Sequence, residues 1–203
     1  MEPRVLLVLT NSRSFLYFGG DIINIFISCS SHIEIDEKYI KDADYIANAL
    51  SKNNDLVIGI AGCKGVPGKV LNNFKENNRN IEIVTLKIYN EDQDKFNYAN
   101  FNYVDTTFDR NKIIYDKSDV LLMLPGGTGT LAEVLSFLEE KRTKNDNKDI
   151  ILYNKDNYYI KLIEIINNYV KNNFNDSNIF DYIKVFNDVS DLLRYMEDNY
   201  ECR

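Results

Sequence analysis

Short apolar runs alternate along this chain with amphipathic stretches, and the alternation predicts its elements. Ile22–Ser28, Leu56–Ile60, Ile81–Ile88, Val120–Leu124, Ile150–Tyr153 and Ile183–Phe186 are rich in Ile, Val and Leu, bounded by polar or glycine-containing turns, and read as strands. Asp36 is placed to cap a helix running to about Ser51, with Ile40, Ala43, Ile46, Ala47 and Leu50 on one stripe. Further helices are predicted around Lys69–Glu76, through Arg110, Lys112 and Tyr115, from Thr130 onward, over Tyr158–Lys171 and over Val189–Asp198. Tyr103–Thr107 reads as a short strand or extended turn. This order predicts an α/β fold with a doubly wound, mostly parallel sheet flanked by helices.

Three stretches depart from the alternation. Near the start, Val5–Leu9 reads as a strand and Phe15–Phe18 as a second apolar patch before Gly19-Gly20. Residues 1–21 are therefore expected to be an extension, as an added edge strand, a hairpin or an oligomer contact, preceding one domain over residues 22–203. Residues 89–102 are polar and Asn-rich with scattered aromatics, a solvated loop or a cover for a site. Glu139–Lys148 is a solvated charge run.

Composition narrows the function classes. The net charge of −7 and the lack of any basic cluster argue against nucleic acid as a partner. A single histidine, His32, cannot build a histidine metal site or a Ser/His/Asp triad, so no metal is expected. Three cysteines without ligand spacing read as reduced thiols of a cytoplasmic protein. The apolar runs are too short to cross a bilayer, so no membrane partner is expected, and the opening segment lacks a signal-peptide cleavage pattern.

The chemistry concentrates in Pro125-Gly-Gly-Thr-Gly-Thr-Leu-Ala-Glu133, directly after the apolar run Val120–Leu124. A glycine-rich turn entering a helix presents unpaired N–H groups at the positive end of the helix dipole, where a phosphate fits. Gly126, Gly127 and Gly129 supply the turn, Thr128 and Thr130 add hydroxyl donors, and Glu133 sits about one turn inside the helix. No Gly-Lys-[Ser/Thr] follows, which sets aside a Walker A loop, and the spacing is not that of a dinucleotide fingerprint. Ser30 and Ser31 end a strand where ligands collect in open α/β sheets. Gly62 and Gly65 belong to a second glycine-rich turn, Ala61–Gly68.

The run Pro125–Glu133 resembles the Pro-Gly-Gly-x-Gly-Thr-x-x-Glu signature of the LOG ("Lonely Guy") family. Arg110 precedes it at the family's spacing, Asp119 heads the central strand, Cys29-Ser30-Ser31 is similar to the family's Gly-Ser-Ser strand end, and Gly62–Gly68 to its Gly-x-x-Gly-Leu-Met-Gly turn. Leu152-Tyr-Asn154 and the pair Tyr158-Tyr159 continue the likeness, which spans roughly residues 22–197. The resemblance implies a Rossmann-like fold and a homodimeric phosphoribohydrolase that needs no cofactor. Such an enzyme cleaves the N-glycosidic bond of a nucleoside 5′-monophosphate, AMP or an N6-modified, cytokinin-type AMP, to free base and ribose 5-phosphate. It implies Glu133 and Arg110 as catalytic residues, with Gly126, Gly127, Thr128, Gly129, Thr130, Ser30, Ser31, Gly62, Gly65 and Asp119 binding phosphate or substrate. The chain departs from the pattern at Asn111, where a lysine is usual, at Ile60-Ala61, and at Glu139–Arg142 where the family has Thr-Trp-x-Gln. These departures keep a second reading open, a nucleotide- or cofactor-binding protein without hydrolysis. No segment resembles the Schiff-base lysine of a pyridoxal enzyme, although the family was long labelled lysine decarboxylase.

Overall fold

A computed structural model describes residues 23–32, 34–52, 56–60, 62–89 and 96–200. The expected extension over residues 1–21, with its strand and apolar patch, lies outside the described residues. So does residue Ile22, expected to open the first strand.

Among the described residues seven strands and six α-helices follow one another: β1 (Ile23–Ser28), α1 (Glu37–Leu50), β2 (Leu56–Ile60), α2 (Val66–Glu76), β3 (Ile81–Leu86), β4 (Asn100–Val104), α3 (Thr107–Lys117), β5 (Val120–Met123), α4 (Thr128–Lys144), β6 (Asp149–Tyr153), α5 (Ile160–Lys171), β7 (Ile183–Phe186) and α6 (Val189–Tyr200). They form one sheet in the order β4-β3-β2-β1-β5-β6-β7. Every pairing among the described strands is parallel, so "mostly parallel" sharpens to wholly parallel there. The architecture is the expected α/β, Rossmann-like sheet with helices on both faces.

Strand periodicity divides the core in two. Ile25 and Ile27 of β1, Val120 and Leu122 of β5, and Ile151 and Tyr153 of β6 point to one face and meet α1, α2 and α6. Their neighbours Phe26, Leu121, Met123, Ile150 and Leu152 point to the other face and meet α3, α4 and α5. Phe26 packs edge-on against Phe137 of α4 at 5.8 Å between ring centroids. A strand buried on both faces has to be apolar at every position, which is why β5 reads as an unbroken run.

The strand order reverses direction at β1, which lies between β2 and β5. Chains leaving β1 and β5 therefore diverge at their C-terminal ends and leave a crevice there. Several boundaries differ from the sequence expectation, and three of them have a physical reason. α4 starts at Thr128 rather than Thr130, because Gly127 is the cap and its carbonyl already accepts from Leu131 N at 3.1 Å. α2 starts at Val66, with Pro67 in the first turn where its missing N–H is harmless. The extended segment near Tyr103 is β4, which begins at Asn100 and pairs with β3 across five residues. The polar stretch before it gave no strand signal because exposed Asn100 and half-buried Phe101 and Asn102 lie in an edge strand.

Candidate active site

The crevice holds a cavity of about 470 Å³, a size suited to a small ligand. Its walls are the end of β1 (Ser28–His32), the β2–α2 turn (Gly62, Lys64, Pro67), the start of α3 (Thr107, Arg110) and the start of α4 (Gly127–Thr130, Glu133).

One end of the cavity is the N-terminus of α4. Its N-cap, Gly127, supplies no side-chain hydrogen bond, so the first-turn N–H groups face open space with the dipole behind them. Gly127, Thr128 and Gly129 are exposed, and a Cβ on Gly127 or Gly129 would meet nothing within 4 Å. Gly126 is a different case. A Cβ there would stand 2.2 Å from Thr130 Oγ1, so the first glycine of the motif exists to let Thr130 fold back against the turn. Two tyrosines fasten the turn from outside: Tyr158 O–H donates to the Gly126 carbonyl at 2.5 Å, and Tyr159 O–H to the Leu124 carbonyl at 2.7 Å. Burial, followed by the nearby Tyr158 hydroxyl, pushes the Tyr159 phenol far up, so it stays a donor at any physiological pH.

The buried end of the cavity is Glu133. It lies on the core-facing stripe of α4 with Thr130, Val134, Phe137 and Leu138, and its side chain is only 4% exposed. An isolated buried carboxylate is strongly unfavourable, and here both oxygens are occupied. Arg110 Nη2 donates to Oε1 at 2.9 Å, and Ser28 Oγ lies 2.5 Å from Oε2. Arg110 is placed by the first turn of α3. Thr106 caps that turn: its Oγ1 accepts from Asp109 N at 3.1 Å and its hydroxyl donates to Asp109 Oδ2 at 2.7 Å. Arg110 is itself 11% exposed, and its Nε lacks a hydrogen-bond partner, leaving one buried donor of the guanidinium unused. Burial raises the Glu133 pKa above the ordinary carboxylate value, while the Arg110 charge and the Ser28 hydrogen bond pull it back. The thiol of Cys29, at the same strand end, is pushed far up by burial and by the Glu133 charge, which makes it an unreactive neighbour.

Ser30, Ser31, Gly62, Arg110, Gly127, Thr128, Gly129, Thr130 and Glu133 thus converge on one cavity. Gly65 acts from behind it. Its φ of +68° belongs to the left-handed region, and a Cβ would sit 2.1 Å from the Ser31 carbonyl oxygen, so the second glycine-rich turn lies flush against the end of β1. Val66 N donates to the Ser30 carbonyl at 3.2 Å in the same junction. Asp119 does not join the site. It heads β5, at the opposite end of the sheet, where its carboxylate accepts from Asn24 N at 2.8 Å while its own N–H donates to the Asn24 carbonyl at 2.8 Å. The expectation that it binds substrate is corrected: it clamps β1 to β5. Sequence reasoning missed Ser28, Lys64 and Thr107 in the cavity wall. Ser28 carried a signal, since it shares the strand face of Phe26, two residues away, and must point toward α4.

Among the described residues no group of three or more His, Cys, Asp or Glu is placed to hold a metal, and no helix is long and apolar enough to cross a membrane.

No curated protein matches the chain in sequence. Solved structures share its fold at low identity. The molybdenum cofactor carrier protein of Chlamydomonas reinhardtii is 16% identical, with 87% of this chain and 96% of that one covered and a TM-score of 0.63. The molybdenum cofactor binding protein of the phototrophic bacterium Rippkaea orientalis is 18% identical, with coverage of 90% and 98% and a TM-score of 0.57. DNA processing protein A of Streptococcus pneumoniae is 13% identical, with coverage of 90% and 63% and a TM-score of 0.58. The family model described as "Possible lysine decarboxylase" matches residues 66–196, more than half of the chain, from the start of α2 through Arg110 and Glu133. The chain belongs to that family, the LOG family.

Proposed function

We propose that the chain is a phosphoribohydrolase, which splits a nucleoside 5′-monophosphate and water into free base and ribose 5-phosphate. AMP and N6-modified, cytokinin-type AMP are the first substrates to test. The observation that carries the reading is the buried Arg110–Glu133 pair, 2.9 Å apart, in the wall of a cavity that also contains an open helix N-terminus. An anion anchor alone would need neither a desolvated carboxylate nor an arginine committed to it.

Each group then has a physical task. The N–H groups of Gly127, Thr128 and Gly129, with the α4 dipole, hold the 5′-phosphate and so fix the ribose. As the bond between C1′ and the base nitrogen breaks, its electron pair leaves with the base and positive charge builds on the ribose ring. Glu133 stabilises that charge and takes a proton from the attacking water, whose oxygen bonds to C1′; Glu133 then gives that proton up to solvent, and the departing base nitrogen takes one from solvent to leave as the neutral base. Arg110 keeps Glu133 ionised and aimed. Ser30 and Ser31 face the sugar and base side of the cavity.

Replacing Glu133 with Gln is expected to lower kcat/KM for base release by roughly 10²–10⁴-fold, the usual worth of a positioned proton acceptor. Chromatography of products from a panel of nucleoside monophosphates checks this, and unchanged release would refute the assignment. A second reading, binding without hydrolysis, is favoured by the carriers and binders of molybdenum cofactor among the solved structures of like fold. Tight nucleotide or pterin binding in calorimetry, with no base released on long incubation, would establish it instead. The net charge of −7 argues against DNA as the ligand.

A further inference from the structure

The cavity hides a second connection to Glu133. Ser28, Thr130 and Glu133 are all nearly inaccessible, at 4%, 5% and 3% exposure, and they form a chain of side-chain oxygens. Ser28 Oγ lies 2.5 Å from Glu133 Oε2 and 3.0 Å from Thr130 Oγ1. A serine hydroxyl has one proton, so it cannot donate to both neighbours. Arg110, donating to Oε1, selects the ionised carboxylate, which can only accept. Ser28 must then donate to Glu133, and Thr130 must donate its own proton to Ser28. The order of the chain is Thr130 to Ser28 to Glu133.

We propose that Ser28 is a positioning residue, which holds Glu133 ionised and fixed in rotamer by donating to Oε2 while it receives the Thr130 hydroxyl proton. The catalytic consequence rests on the hydrolase reading; the hydrogen-bond chain does not. Two features follow from it. The Thr130 hydroxyl is committed inward and does not serve the phosphate, which is left to the backbone N–H groups of the α4 first turn and to Thr128. The anion anchor and the carboxylate also become one unit, because Thr130 is held in place by Gly126, whose missing Cβ makes room for it. Protonating Glu133 would reverse the chain, with Glu133 donating to Ser28 and Ser28 to Thr130.

Carbon-13 labelling of glutamate carboxyl groups reads the charge of Glu133 directly, with Glu133→Gln identifying its signal. In Ser28→Ala the carboxylate loses one of its two donors, and its midpoint is expected to rise by about one pH unit or more, the size of one hydrogen bond to a charged group. Ser28→Thr, which keeps the hydroxyl, is expected to restore the parent midpoint. Thr130→Val, of the same shape but with no proton to give, is expected to raise it by less; it also tests the chain should Ser28→Ala not fold. The acid limb of kcat/KM should move with the midpoint in each variant. A midpoint unmoved in Ser28→Ala and Thr130→Val overturns the proposal, as does a uniform loss of activity with an unmoved limb. A parent protein that releases no base while Glu133 still responds to Ser28 rejects the hydrolase reading and keeps the Ser28 assignment.

Discussion

At Glu133, burial and its two hydrogen-bond partners act in opposite directions. Desolvation favours its neutral form; the Arg110 charge and the Ser28 hydroxyl favour the anion, and the balance still leaves its pKa above the ordinary value. A raised pKa brings a carboxylate nearer to neutrality and makes it a better proton acceptor while it remains ionised at working pH. Activity that depends on the anion should therefore fall on the acid side at a higher pH than an ordinary carboxylate would give. Arg110→Ala should move that limb further up, and a pH profile of kcat/KM for the two proteins checks the sign. Stability runs the other way. A group whose folded pKa exceeds its unfolded pKa contributes stability below the unfolded value and loses it as pH rises through the folded one. The stability of Glu133→Gln relative to the parent should accordingly grow as pH rises across that window, as measured by urea unfolding at a series of pH values.

At the scale of the element, the two glycine-rich turns do different work. Gly127 and Gly129 face open space, so alanine there should leave the fold intact and raise KM by crowding the phosphate. Gly126→Ala should instead lower kcat, because its Cβ would displace Thr130 and with it the hydrogen bond to Ser28. Steady-state kinetics of the three variants separates the two outcomes. Gly65→Ala combines a left-handed backbone, costing about 1–2 kcal/mol, with a clash against the Ser31 carbonyl, so its loss of stability should exceed that figure. The two turns are also where the chain was most readable. Gly126, Gly127, Gly129 and Thr130 stood out as an anion cradle at a strand-helix junction, yet the reason for Gly126 lay in Thr130, four residues on, and could not be read from spacing.

Across the whole molecule, the site is built at one end of the sheet and secured at the other. Asp119 ties β1 to β5 through Asn24, and the Asp119 carbonyl accepts from Asp149 N at 3.0 Å to bring in β6. Removing the carboxylate orphans the Asn24 N–H, so Asp119→Ala should cost about 1–3 kcal/mol in unfolding with no change in KM. Association belongs to this scale as well. Phe108 of α3 is 85% exposed, and Leu131 and Leu135 of α4 are exposed beside the site. The homodimer implied by family resemblance would cover such positions, and Leu131→Lys with Leu135→Glu should then shift the sedimenting mass from dimer to monomer. A monomeric parent at working concentration would remove that expectation.

The sequence alone determined the alternation of strands and helices, the parallel sheet and the glycine-rich turn that opens α4, because each depends on local periodicity or on glycines at one junction. It also marked Glu133, an acid about one turn inside the helix that follows the glycine-rich turn and the last residue of the family signature. Tertiary structure alone decided what compensates its burial. Arg110 and Ser28 come from different elements, separated from Glu133 by 23 and 105 positions along the chain, and only the crossing at β1 brings them to its two oxygens. The same topology took Asp119 away from the site, because a residue that heads a strand lies a full strand length from the crevice. Composition and spacing carry no record of which end of a strand a side chain will occupy once the sheet has formed.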